Sequence, residues 1–222
     1  MHPADLISAL RARRLLAIIR GNDPEAALDT VLTLFASGID VVEVSLTTTG
    51  ALAVIERARA ALGPGAALGA GTALTAADTR RAVAAGATFL VTPGVTEAVA
   101  EARALGLPVL AGAVTPTEVA AALAEGATAI KLFPASLGGP GYLRALRDPF
   151  PEVEFVPVGG VDAEAARAFL AAGALAVGVG GPLVGAAAST SAAASTGSGD
   201  DRLPERIAAF RALAEEVSCL TS

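Results

Sequence analysis

AEGATAIKLFP, residues 124–134, decides the fold. It runs from the end of an alanine-rich amphipathic segment through a glycine into a short apolar stretch. A glycine just past a helix supplies the positive φ that the C′ residue usually adopts. A short continuous apolar stretch after it reads as a strand buried on both faces, as in a parallel sheet. The same unit recurs at FASGIDVVEVSL (35–46), AAGATFLVTPG (84–94), ALGLPVLAG (104–112) and AAGALAVGVGG (171–181).

The marker glycines are Gly38, Gly63, Gly86, Gly106, Gly126 and Gly173, with gaps of 25, 23, 20, 20 and 47 residues. The last gap is about double, so one unit lacks its glycine, and the turn Asp148–Pro149–Phe150–Pro151 supplies that break. With LLAIIR (15–20) at the start, eight strands are expected near 15–20, 39–46, 66–70, 88–92, 107–111, 128–132, 153–158 and 175–180. Eight βα units of this period describe a single (β/α)8 TIM barrel of the α/β class. An open doubly wound sheet is the alternative, and it calls for a reversal of strand order and usually fewer strands. The barrel core is expected over 1–185. AAASTSAAASTGSGD (186–200) reads as a flexible low-complexity linker without chemistry, and 201–222 as a C-terminal helix, near 203–218, packing on the barrel.

Composition narrows the chemistry. Of 222 residues, 53% are hydrophobic and 17% charged, enough apolar material for a sizeable core. The net charge of −6, the absence of a basic run and an aromatic content of 4% argue against a nucleic-acid partner. No stretch approaches a membrane span, and the N-terminus lacks the apolar core of a signal peptide. One cysteine (Cys219) cannot form an intramolecular disulfide, which fits a cytoplasmic location. One histidine (His2) and one cysteine, both near the termini, leave no His/Cys metal site and no base for a Ser-His or Cys-His pair. No cofactor or metal is expected.

Barrel active sites lie at the C-terminal ends of the strands. Three ionisable residues interrupt or end the apolar runs: Arg20, Glu43 and Lys131. Lys131 is the only lysine; the other 15 basic residues are arginines. An arginine would keep the charge but could not serve as an amine nucleophile. Burial disfavours a charged amine, and the neutral amine is the form that attacks a ketone. The alternative is a buried ion pair with Glu43. Glu43 points inward if Val42 and Val44 face the helices, and Ser45 and Thr47 share its parity. A carboxyl facing the lysine suits general acid/base work, and its alternative role is a structural partner of Arg20. Arg20 can hold a substrate carboxylate or phosphate, or orient Glu43. Val158-Gly159-Gly160 and Gly178-Val179-Gly180-Gly181 follow strands 7 and 8, where backbone N–H groups often cradle phosphate.

The chain resembles the 2-dehydro-3-deoxy-6-phosphogluconate/6-phosphogalactonate aldolases. The resemblance rests on LLAIIRG (15–21), VVEVSL (41–46), GAGT (69–72), VTPG (91–94), IKLFPAS (130–136), VPVGGV (156–161) and GVGG (178–181), in the family's order and spacing. It implies a class I retro-aldol cleavage of a 2-keto-3-deoxy-6-phospho sugar acid to pyruvate and glyceraldehyde 3-phosphate, in an Entner–Doudoroff type of carbohydrate metabolism, by a homotrimer. It further implies Lys131 as the Schiff-base residue and Glu43 as general acid/base. Thr72 and the Pro93 region would meet the keto-acid carboxylate, Arg20 and Phe133 would contact substrate, and Gly159, Gly160, Gly180 and Gly181 would hold phosphate. Three positions depart from the family pattern. Thr47 stands where gluconate-type members carry arginine. Val158 replaces a threonine and looks more like the galactonate branch. Gly181 or Pro182 replaces a serine. Two other readings are a phosphosugar epimerase or isomerase barrel, and a non-catalytic barrel that binds a phosphorylated metabolite.

Overall fold

The computed structural model describes residues 1–189 and 202–220. Its elements alternate as the glycine period predicts: α1 (Pro3–Arg13), β1 (Leu15–Ile19), α2 (Pro24–Ala36), β2 (Val41–Ser45), α3 (Ala51–Leu62), β3 (Ala67–Gly71), α4 (Ala76–Ala84), β4 (Leu90–Val91), α5 (Glu97–Ala104), β5 (Val109–Ala113), α6 (Pro116–Ala124), β6 (Ala129–Leu132), α7 (Gly139–Arg147), β7 (Phe155–Pro157), α8 (Ala163–Ala171), β8 (Val177–Val179), the short α9 (Gly181–Val184) and α10 (Leu203–Leu220). The six marker glycines all have positive φ, from 66° at Gly106 to 98° at Gly86. Each lets the chain reverse from helix to strand at no Cβ penalty.

All eight strands pair in parallel in the order β7-β6-β5-β4-β3-β2-β1-β8. The sheet closes on itself through the bridge Val158↔Gly178 and a hydrogen bond from the Leu175 N–H to the Phe155 carbonyl (2.9 Å). The structure is therefore the barrel and not the open sheet. Alternate strand residues face opposite ways. Ala17, Ile19, Val42, Val44, Leu68, Ile130 and Leu132 join the core between strands and helices. Leu16, Ile18, Val41, Phe89, Leu110 and Val156 fill the interior. Leu6 and Leu10 of α1, spaced i,i+4 on one helix face, belong to the interior cluster. So α1 plugs the end of the barrel where the strands begin. It starts on a capping box between His2 and Asp5, with Pro3 in its first turn.

The linker expected over 186–200 needs correcting at its start. Ala187–Ser189 form a 3-10 turn with Ala187 and Ala188 buried, and the Ala188 carbonyl presses against Gly21, where a Cβ would meet it at 1.8 Å. Small residues there read as a linker from composition, yet they are what close packing on α2 and the β1 loop requires. Residues 190–201 lie outside the described residues. The C-terminal helix, expected near 203–218, spans Leu203–Leu220 and buries Leu203, Ile207, Phe210 and Leu213.

Candidate active site

Glu43 and Lys131 each occupy the third position of a strand whose flanking residues face the helices, so both side chains enter the barrel. Glu43 is 1% exposed and Lys131 5%. Glycines hollow the interior to admit them. A Cβ on Gly71 would lie 2.6 Å from Glu43 Oε1, and one on Gly112 would lie 2.1 Å from the Pro93 carbonyl carbon. Gly112 is the register partner of Lys131. That missing side chain lets the Pro93 backbone settle beside the lysine's strand. The Thr92 hydroxyl fixes the same loop, donating to the Gly94 carbonyl (2.7 Å) and accepting from the Gly112 N–H (3.3 Å).

Lys131 Nζ sits 4.8 Å from the centroid of the Phe133 ring, within cation–π range. The buried ion pair is not formed: Glu43 Oε2 is fully buried with no hydrogen-bond partner among the described residues. Burial pushes the Glu43 carboxyl above the ordinary carboxylate range; the positive charges of Lys131 and then Arg20 pull the other way. A buried oxygen without a partner is costly to keep unless a ligand or a reaction uses it. A carboxyl that holds its proton above the usual range can deliver it to a reacting atom.

Hydroxyls gather on the β2–β3 side of the mouth. Ser45 Oγ lies 2.7 Å from Thr47 Oγ1 and 2.9 Å from Thr72 Oγ1. Thr72 has φ +61°, a left-handed conformation that a β-branched residue adopts only under constraint. Such strain costs on the order of 1–3 kcal/mol and marks functional positions.

On the β7–β8 side a cavity of about 360 Å3 is lined by Arg20, Phe133, Val158, Gly159, Gly160, Gly180 and Gly181, among others. Both predicted glycine pairs thus meet in one compartment. Gly159 (φ +91°) and Gly160 (φ +75°) need their glycine freedom, and Gly181 faces open space. Arg20 is exposed, just beyond the end of β1, and among the described residues is the only charged side chain lining this cavity. Thr47, Thr72 and Pro93 do not line this cavity, while Phe133 touches both the lysine and the cavity. Sequence reasoning passed over Gly71 and Gly112 and gave Ser45 no role. Their inward parity was the available signal. Among the described residues no group of three or more His, Cys, Asp or Glu side chains is placed to hold a metal.

A sequence model of the KDPG and KHG aldolases matches residues 6–194. A probable 2-dehydro-3-deoxy-6-phosphogalactonate aldolase of Rhizobium meliloti (strain 1021) is 39% identical over 151 residues, 67% of this chain and 71% of that protein. A native KDPGal structure superposes with a TM-score of 0.82 at 31% identity, over 92% of this chain and 96% of its own. A KDPG aldolase from Legionella pneumophila, with pyruvate captured at low pH as a covalent carbinolamine, superposes with a TM-score of 0.78 at 28% identity, over 98% of both chains.

Proposed function

This chain belongs to the KDPG and KHG aldolase family, and on that premise we propose that Lys131 is its Schiff-base nucleophile and Glu43 its general acid/base. The protein is a class I aldolase, a carbon–carbon lyase. Its substrate is a 2-keto-3-deoxy-6-phospho sugar acid of the gluconate or galactonate type. The observation that carries the assignment is the chain's one ε-amine, buried inside the barrel mouth near a carboxyl whose second oxygen is unpartnered.

The Lys131 amine in its unprotonated form attacks the C2 ketone to give a carbinolamine; Glu43 gives its proton to the departing hydroxyl, so water leaves, an iminium forms and Glu43 becomes the carboxylate. The C3–C4 bond then breaks. Its electron pair flows into the iminium as an enamine, and the C4 hydroxyl proton passes to Glu43 as the aldehyde forms. Glu43 returns a proton to C3, and water hydrolyses the imine to pyruvate and free lysine. Thr72 and the Pro93 loop receive the keto-acid carboxylate, with Thr47 at the outer edge. Arg20 and the backbone of Gly159, Gly160, Gly180 and Gly181 hold the phosphate end, and Phe133 lies between the two ends. Val158, in place of the threonine common in the family, looks more like the galactonate branch. An epimerase or isomerase barrel has no use for a buried lone lysine.

Borohydride added with pyruvate tests this. The wild type should gain one reduced pyruvyl adduct on Lys131, and Lys131→Ala should gain none and lose about 10³-fold or more in kcat. An unchanged intact mass for the wild type would end the assignment. A cytoplasmic homotrimer acting in an Entner–Doudoroff type of sugar-acid breakdown completes the proposal. It is supported by the family resemblance and, for the location, by the single cysteine. No helix among the described residues is long and apolar enough to cross a membrane.

A further inference from the structure

Ser45 is the last residue of β2, inward-facing and fully buried. A hydroxyl at the rim of an apolar interior needs partners, and it has two on the loops of the mouth, Thr47 Oγ1 at 2.7 Å and Thr72 Oγ1 at 2.9 Å. The Thr47 backbone N–H also points at Ser45 Oγ (3.4 Å). Three hydroxyls in a row carry three protons, and two links use two of them. The Thr47 N–H takes one of the two lone pairs of Ser45 Oγ, so Ser45 accepts from one threonine hydroxyl and donates to the other, and the one O–H left free lies at an end of the row. If the row runs Thr47 to Ser45 to Thr72, the free donor is on Thr72. If it runs the other way, the Thr72 oxygen has given its proton to Ser45 and offers a ligand lone pairs alone. An anion beside Thr72 accepts only the first direction.

We propose that Ser45 is a positioning residue for keto-acid recognition: its buried hydroxyl holds the strained Thr72 side chain in place and turns the free O–H of Thr72 toward the substrate carboxylate. The chain lacks the arginine that gluconate-type relatives carry at position 47, and Thr47 anchors the outer end of the row instead. The proposal rests on Lys131 forming a Schiff base with pyruvate, but concerns only how pyruvate is held for that step.

The test measures borohydride trapping of pyruvate on Lys131 against pyruvate concentration in the wild type, Ser45→Ala, Ser45→Cys and Ser45→Thr. Far-UV circular dichroism and the thermal midpoint report folding. In Ser45→Ala the half-saturating pyruvate concentration should rise about tenfold, the loss expected for one hydrogen bond to a charged ligand. The trapping rate at saturation should stay within about threefold, because the amine is untouched. Ser45→Thr, which keeps the hydroxyl, should stay within about twofold of the wild type, and Ser45→Cys, a weaker donor of similar volume, should fall between. A folded Ser45→Ala with unchanged half-saturation overturns the proposal, as does Ser45→Thr that folds but binds as poorly as Ser45→Ala. If Ser45→Ala does not fold, Ser45→Cys decides on the same criterion. Wild type that traps no pyruvate at any concentration refutes the Schiff-base assignment itself, a result distinct from either.

Discussion

Glu43 is the proposed acid/base of this site, and its titration follows from its burial. Its proton is bound more tightly in the folded chain than in the unfolded one, because burial outweighs the attraction of Lys131 and Arg20. By linkage, this group stabilises the fold fully below its ordinary value of 4.5, and that contribution is lost as pH rises through the higher native value. Glu43→Gln removes the titration. Urea denaturation between about pH 4 and pH 9 should therefore show the wild type losing stability relative to Glu43→Gln as pH rises. Parallel curves would contradict the burial argument. The same substitution should depress kcat by about 10²–10⁴-fold, the usual worth of a positioned acid/base, and should slow borohydride trapping of pyruvate on Lys131.

Elements place these residues through what the strands leave out. Gly71 on β3 makes room for the Glu43 carboxylate, and Gly112 on β5 for the Pro93 backbone. Gly71→Ala forces its Cβ to 2.6 Å from Glu43 Oε1, so the carboxylate must move. Overpacking of this kind costs about 1–3 kcal/mol, and activity should fall by more than the stability loss explains; kinetics beside denaturation on the purified variant separates the two. The strands and turns were legible because one period, helix to glycine to β-branched run, repeats under strong local rules, and all eight strands fall within about two residues of their expected limits. Lys131 and Glu43 were legible for a similar reason: a charge inside an apolar strand has few explanations. The glycine notches were not, because a glycine in a strand also signals a bulge, and which atom occupies its missing Cβ depends on neighbours distant in sequence. Ala187–Ser189 misled for the opposite reason. Alanine and serine carry no periodic signal, so their burial comes from α2 and the β1 loop and not from anything in their own spelling.

At the scale of the whole molecule, the barrel separates stability from catalysis along its axis. The N-terminal end is sealed by Leu6 and Leu10 of α1, both fully buried against interior side chains, a role that sequence reasoning did not give the first helix. Leu10→Ala should cost about 2–5 kcal/mol of stability through the cavity it leaves. At a temperature where the variant remains folded, kcat/KM should stay near the wild-type value, since the proposed reacting groups, Lys131 and Glu43, lie away from α1. A large drop in kcat/KM at full folding would show that the plug reaches the chemistry after all.

The closure of the barrel carries a consequence for how the ring could yield. Seven neighbouring pairs share ladders of two to five residues, while β7 and β8 meet through one bridge and a hydrogen bond near their start. That thinly stitched join is also the floor of the compartment proposed for the anionic tail, because Val158 and Gly178 line it. Parting there would widen the tail's chamber without disturbing the rungs that carry Glu43 and Lys131. A ligand gripped across the join would act as the missing rung, so that filling the chamber and tightening the hoop become a single event.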